Sequence, residues 1–139
     1  MAVEFRILKS HGLVYVRYDD VAIVEETFRV FGEYVQHPDF RPGQKQLVDL
    51  SGLTSVEHDF PKLFELQMRK AEAFVGRGTQ TLLVYYAPTK MSLAMAQIAM
   101  RAWEGIDGVV PIVQQDEAQA LALLGVRETC LNDLLAAVD

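Results

Sequence analysis

A short apolar run that stops at a polar stretch constrains the fold of this chain more than any other feature. The run begins at Leu47-Val48 and stops at Asp49 and Ser51, within a predicted strand over Gln46–Leu50, and the glycine-containing stretch 51–58 follows that strand. A run that is apolar at successive positions is typical of a strand buried on both faces of a parallel sheet. Because open α/β sheets bind ligands at the carboxyl ends of their strands, the residues around this point are candidates for ligand or partner binding. Those candidates are Asp49, Ser51, Thr54 and Ser55.

The rest of the chain supplies the remaining strands and helices of an α/β fold. Val3–Leu8 and Leu13–Tyr18 alternate apolar and polar residues around the turn Ser10–Gly12, which predicts an antiparallel hairpin. Helical and strand patterns then alternate. The predicted helices cover 21–36, 59–75, 90–104, 116–124 and 131–138, and the later strands cover 46–50, 81–87 and 109–113. This order predicts one domain over 1–139, an α/β sandwich whose mixed five-stranded sheet has an N-terminal antiparallel hairpin, parallel later strands and four to five helices.

Single residues predict where the first helix begins and ends and which strands lie inside the sheet or at its edge. Asp20 is expected to cap the first helix, because its carboxylate can accept hydrogen bonds from the first free N–H groups. His37-Pro38 is expected to end that helix. The strand 81–87 is the most apolar and is predicted to be central. Pro111 places the strand 109–113 at the edge of the sheet, since proline cannot donate to a ladder.

Composition excludes several classes of partner. The 139 residues carry a net charge of −6 and contain no basic run, which argues against nucleic-acid or anionic-membrane binding. No apolar stretch reaches spanning length, and the N-terminus lacks the apolar core of a signal peptide. The one cysteine, Cys130, cannot form an internal disulfide and is expected to be a small buried residue. We therefore expect a cytoplasmic protein that is not inserted in a membrane.

The order of elements and the sequence Leu-Val-Asp-Leu-Ser-Gly-Leu-Thr at 47–54 resemble the STAS domain family, the SpoIIAA-like fold of anti-sigma-factor antagonists. Asp116–Gly125 is similar to the last helix of that family. The closest likeness is to the looser branch whose members lack the phosphoserine motif. The resemblance implies a SpoIIAA-like sandwich that acts as a non-enzymatic regulatory or binding module.

Where members of the family carry a phosphorylated serine or threonine at the start of a helix, this chain has His58 and Asp59, preceded by Glu57. A helix N-terminus stabilises a phosphate through its free N–H groups. Because Asp59 already supplies a negative charge there, we expect no phosphorylation switch at this position.

The polar candidates have more than one interpretation. Asp49, Ser51, Thr54 and Ser55 form a ligand or partner site, or they only bond nearby backbone groups in a turn. His58 with Asp59 forms an acid–base pair of a small enzyme, or it is a surface histidine before a helix cap. The sequence has no serine nucleophile elbow, no paired-histidine metal spacing and no Gly-rich phosphate loop. We therefore expect no catalytic residue, metal or cofactor.

The helix 90–104 has more apolar surface than one sheet face can bury. Lys90, Gln97, Arg101 and Glu104 form its narrow polar stripe. This surplus apolar surface predicts that something besides the sheet covers the helix. The alternatives are the closing helix 131–138, the second subunit of a homodimer and a small lipid-like ligand. The residues expected at a dimer interface or around such a ligand are Met91, Met95, Ile98, Met100 and Trp103. A homodimeric regulatory or binding module is the leading prediction, and a carrier or sensor of a small apolar ligand is the alternative.

Overall fold

A mixed five-stranded sheet forms the centre of the computed structural model, which describes residues 3–56, 65, 80–104 and 108–136. The strands are β1 (Val3–Leu8), β2 (Leu13–Ala22), β3 (Lys45–Val56), β4 (Thr81–Tyr86) and β5 (Val109–Gln114). The helices among the described residues are α1 (Val24–Gln36), α2 (Lys90–Ala102), α3 (Glu117–Leu124) and α4 (Leu131–Ala136). The strand order is β1-β2-β3-β4-β5, with β1 antiparallel to β2 and the other neighbours parallel. The predicted fold class is confirmed.

The hairpin and the order of the later strands agree with the sequence patterns. β1 and β2 pair from Val3 opposite Tyr18 to Leu8 opposite Leu13. A one-turn 3-10 helix joins them, and Gly12 ends it with a φ of 61°, which a residue with a side chain rarely adopts. β4 lies inside the sheet and β5, which contains Pro111, lies at its edge. Both placements were predicted.

Helices cover both faces of the sheet. On the first face, α1 and α2 pack against even-numbered residues of β3, among them Val48 and Leu50. On the second face, α3 and α4 pack against a core that includes Leu47 and Val84. Because side chains alternate along a strand, β3 contributes to both cores, which explains why the adjacent residues Leu47 and Val48 are both apolar.

The main correction concerns the polar stretch after Leu50, which was predicted to be a loop. β3 continues through Val56, and β2 continues through Ala22, because the two strands pair with each other in parallel beyond the predicted boundaries. The paired strands satisfy the backbone groups that a loop would leave to water. Because the side chains after Leu50 are mostly polar, the sequence pattern does not predict this extension of β3.

A second correction concerns Asp20, which does not cap a helix. It lies within β2 with a φ of 59°, and the cap position of α1 is Ile23, whose side chain cannot accept a hydrogen bond. α1 therefore begins at Val24 rather than at 21, and it ends at Gln36 before His37-Pro38, as predicted. The register of β2 against β3 shifts at Asp20/Val21, so the strand rather than the helix determines the conformation of this residue.

The later helices begin and end close to the predicted positions. Thr89 and Ser92 form a reciprocal capping box at the start of α2. Asp116 caps α3 by accepting from the Gln119 N–H at 2.9 Å, and Gly125 ends it with a φ of 75°. Cys130, just before α4, is partly rather than fully buried. Glu65, within the predicted helix 59–75, is helical, and the rest of that helix lies outside the described residues.

Candidate functional site

A row of polar side chains crosses the sheet at the carboxyl ends of β4 and β5, and β2 and β3 continue past it. Arg17 of β2 pairs with Asp49 of β3, Asp49 pairs with Tyr86 of β4, and Tyr86 pairs with Gln114 of β5. Residues paired directly across a sheet share a face, so these four residues, here called the carboxyl-edge row, lie on one side. Tyr86 packs against the core beneath α3 and α4, which places the row on that second face.

Asp49 is the buried centre of the row, with 0% of its surface exposed. The hydroxyl of Tyr15 donates to Asp49 Oδ2, and Arg17 Nη1 donates to the same oxygen at 3.4 Å. The backbone N–H of Ser51 donates to Oδ1 at 2.9 Å. A buried carboxylate is costly unless it is paired and hydrogen-bonded. Three donors meet that requirement and hold the carboxylate in one position.

Arg17 lies between this buried carboxylate and the solvent. Its Nε lies 3.1 Å from both carboxylate oxygens of Asp19, while its Nη1 contacts Asp49. The Arg17 side chain is 38% exposed, whereas that of Asp49 is fully buried. The hydrogen bond to Asp19 is the main reason why the pKa of Arg17 is raised. The guanidinium therefore stays charged at the surface of the row.

Two phenols, Tyr86 of the row and the neighbouring Tyr15, stay protonated near neutral pH. Burial raises the pKa of Tyr15, and the hydrogen bond to Asp49 raises it further. Burial also raises the pKa of Tyr86, with smaller contributions from the negative charges of Glu117, Asp49 and Asp116. Because both pKa values lie above 10, neither phenol is a base near neutral pH. Both phenols offer hydrogen bonds and apolar ring surface.

Gly52 lets β2 and β3 approach each other beside the row. It pairs with Asp19 across the register shift that follows Arg17 and Asp49. A Cβ at Gly52 would overlap the Asp19 carboxylate and would lie 3.2 Å from the Tyr18 carbonyl oxygen. The absent side chain thus leaves the space in which Asp19 reaches Arg17.

The structure brings together only part of the predicted polar set. Asp49 and Ser51 meet in the row, the latter through its backbone N–H. Thr54 is exposed and donates from Oγ1 to the Asp20 carbonyl oxygen at 3.0 Å, and Ser55 is exposed further along β3. His58 and Asp59 lie outside the described residues.

Sequence reasoning missed several residues of this site, namely Tyr15, Arg17, Asp19, Tyr86 and Gln114. A signal for two of them was available, because Leu13, Tyr15 and Arg17 share one face of a predicted strand and become more polar toward its end. Their convergence on Asp49 depends on the parallel register of β2 and β3, which the sequence pattern does not specify.

The candidates on α2 lie in different environments. Trp103, just after the helix, is only 3% exposed, and its Nε1 donates to the Tyr85 hydroxyl at 2.9 Å, so it belongs to the core of a single chain. Met91 is 41% exposed, whereas Met95, Ile98 and Met100 are partly buried. Because α4 packs on the opposite face of the sheet, it does not cover α2. The prediction that the closing helix 131–138 covers the apolar surface of α2 was therefore wrong.

The described histidines lie away from the row. His11 Nε2 is 3.3 Å from a carboxylate oxygen of Glu128, and His37 Nδ1 accepts from the Asp39 N–H at 3.0 Å. Within the described ranges, no group of three or more His, Cys, Asp or Glu residues is placed to hold a metal ion.

No family model matches the chain, and comparison with curated proteins finds no match. No helix in the described part of the chain is long and apolar enough to span a membrane.

Proposed function

We propose that this chain is a non-enzymatic, cytoplasmic binding module of the SpoIIAA-like type, which recognises a protein or small molecule at the carboxyl-edge row. The observation that carries this proposal is the fully buried Asp49 carboxylate, held by Tyr15, Arg17 and the Ser51 N–H at the level where β4 and β5 end. Open α/β sheets bind their ligands at this edge.

The chemistry of the row favours binding over catalysis. Its carboxylate is enclosed, and the phenols of Tyr86 and the neighbouring Tyr15 stay protonated near neutral pH. These groups present fixed hydrogen bonds and charges rather than a nucleophile with a base beside it. Arg17 uses two of its three side-chain nitrogens in the contacts to Asp19 and Asp49. Because guanidinium has five N–H donors in a planar fork, it can also bind an acceptor on a partner.

Photo-crosslinking in the native cells tests where a partner binds. A photoreactive phenylalanine analogue replaces either Gln115 or Gln36. These exposed glutamines lie toward opposite ends of the parallel strands. Gln115 follows β5 beside the row, whereas Gln36 ends α1, which leads away from that edge.

We expect a discrete adduct from the Gln115 variant and none from the Gln36 variant. Equal adducts at both positions, or none at Gln115, would contradict the proposal. An adduct with the mass of two chains would identify a second copy as the partner.

We also propose that the chain forms a homodimer through the outer surface of α2. The supporting observation is the 41% exposure of Met91 beside the partly buried Met95 and Ile98. Methionine adapts to irregular partner surfaces and is enriched at interfaces.

A further inference from the structure

An open cleft of about 290 Å³, here called the amino-end cleft, lies near the start of β2, away from the carboxyl-edge row. It opens between the 3-10 turn that joins β1 to β2 and the segment that follows α3. The described residues that line it are Ser10, His11, Gly125, Val126, Arg127 and Glu128. Because a cavity of about 150 Å³ holds a benzene molecule, this cleft has room for a ligand the size of a free amino acid.

Two opposite charges line the cleft side by side, on Arg127 and Glu128. A hydrogen bond from its own backbone N–H is the main reason why the pKa of the Glu128 carboxyl is lowered, and His11 and Arg127 lower it further. Glu128 is therefore ionised near neutral pH. Arg127 is exposed, and among the described residues its guanidinium has no hydrogen-bond partner. Its donors are thus available to a ligand.

His11 holds the Glu128 carboxylate in place on the wall of the cleft. Its Nε2 lies 3.3 and 3.4 Å from the two carboxylate oxygens. Because a carboxylate only accepts, Nε2 carries the proton, and Nδ1 of the neutral ring accepts from the Ser10 hydroxyl at 3.3 Å. The side chains of His11 and Glu128 are 16% and 20% exposed. An ionised carboxylate has about four acceptor positions, so the bonds from His11 and from the backbone leave some of them open to a ligand.

This pair of charges restricts the kind of ligand that the cleft can hold. A purely anionic ligand would be attracted by Arg127 and repelled by Glu128, and a purely cationic ligand would meet the reverse. A small molecule that carries both charges close together satisfies both residues. Val126 and Gly125 complete the lining without a charged or polar side chain, so the remainder of the ligand should be small and apolar.

We propose that the amino-end cleft binds a free α-amino acid with a small aliphatic side chain, whose ammonium group bonds Glu128 and whose carboxylate bonds Arg127. Hydrogen bonds between ionised groups are the strong ones, and a guanidinium can bind a carboxylate through two parallel N–H groups. The inference does not depend on the proposed function of the carboxyl-edge row, because the two sites share no residue.

Titration of the isotope-labelled full chain with L-valine, followed by nuclear magnetic resonance, tests the proposal. Two probes each lack one charged group: isovalerate is valine without the ammonium group, and isobutylamine is valine without the carboxylate. Valine should shift the amide resonances of residues 10–12 and 125–128 and leave those of residues 49–51 unchanged. Each of the other two probes should bind about tenfold more weakly. No shift in the cleft up to the solubility limit of valine, or equal affinity for either probe, would overturn the inference.

Two variants assign the charged groups of the ligand to their partners. Glu128→Gln should weaken valine binding about tenfold without weakening that of isovalerate, which has no ammonium group. Arg127→Gln should weaken valine binding by a similar factor without weakening that of isobutylamine.

Arg101→Gln is the matched control and should bind valine like the wild type, because Arg101 is also exposed but lies on α2, away from the cleft. The amide spectrum reports whether each variant is folded, and Arg127→Gln tests the site even if Glu128→Gln does not fold. Undiminished valine binding in a folded Arg127→Gln or Glu128→Gln protein, or equal losses for valine and the matching probe, would contradict the proposed contacts.

Discussion

Asp19 and Gly52 illustrate, at the scale of single residues, how the site depends on groups that carry no binding chemistry themselves. The Asp19 carboxylate occupies the space above Gly52 and from there bonds Arg17. Arg17 in turn contacts the buried Asp49. The position of the guanidinium thus depends on a glycine in the neighbouring strand.

Replacing this glycine tests that dependence. Gly52→Ala should lower the free energy of unfolding by about 1–3 kcal/mol, because the added Cβ overlaps the Asp19 carboxylate. Gly32→Ala is the matched control, since a Cβ at Gly32 meets nothing within 4 Å and the position is inside α1. That change should raise stability by about 0.5–1 kcal/mol. Urea unfolding measures both, and a Gly52→Ala protein as stable as the wild type would show that the approach of the strands is not tight.

At the same scale, Asp49 could be predicted as a site residue from the sequence, whereas its contact with Arg17 could not. The apolar run that stops at Asp49 marks this residue as a site candidate on a buried strand. The partners of Asp49 are determined by the register of β2 against β3, which shifts between Arg17 and Asp19. Hydrophobic alternation specifies the face of a side chain but not its neighbour across a parallel pair.

At the scale of elements, local signals predicted the type of each described strand and α-helix. Thr89 and Asp116 accept from backbone N–H groups three residues ahead, an interaction within one turn that sequence patterns encode. Pairing between β2 and β3 overrode the equally plausible cap at Asp20. Polar residues such as Ser51 and Ser55 favour loops locally, and only the long-range ladder keeps them in a strand.

The capping box of α2 gives a prediction for an element. Thr89→Ala should lower the free energy of unfolding by about 1 kcal/mol, because the Ser92 N–H loses its acceptor. Thr89→Ser keeps the hydroxyl and should stay within about 0.5 kcal/mol of the wild type. Chemical denaturation of the two variants side by side is the measurement. Equal losses would show that the Thr89 methyl group, rather than the cap, stabilises the helix.

At the scale of the whole molecule, buried phenols link stability to alkaline pH. Burial raises the pKa of Tyr34 from 10.0 to about 12, and burial also raises the pKa values of Tyr15 and Tyr18. Because the folded values lie above the unfolded one, the stability from these groups is complete below pH 10 and is lost as the pH rises toward 12.

Alkaline titration should therefore show tyrosinate absorbance and loss of circular dichroism in one cooperative step above pH 10. The ionised phenols cannot remain in their apolar surroundings, so unfolding accompanies their ionisation. Reversible ionisation of most tyrosines near pH 10 with the fold intact would contradict this expectation.

The proposed homodimer is also a property of the whole molecule, and two residues of the α2 region distinguish interface from core. Met91→Glu should yield a folded monomer, because Met91 is exposed in the single chain. Trp103→Glu should unfold the chain, because a buried unpaired charge costs several kcal/mol. Sedimentation with circular dichroism separates these results. A monomeric wild type, or a Met91→Glu dimer as stable as that of the wild type, would contradict the proposed homodimer.

The most direct test of the central proposal, partner binding at the carboxyl-edge row, is the yield of the Gln115 photo-adduct after Arg17→Lys. Lysine keeps the positive charge beside Asp49, so the fold should remain intact, with a loss of about 0.2–1 kcal/mol typical of a partly exposed ion pair. It lacks the planar guanidinium fork, which bonds Asp19 and Asp49 and has further N–H donors for a partner. We predict that the adduct falls about tenfold while circular dichroism is unchanged. An undiminished adduct from folded Arg17→Lys protein would contradict a binding role for the row.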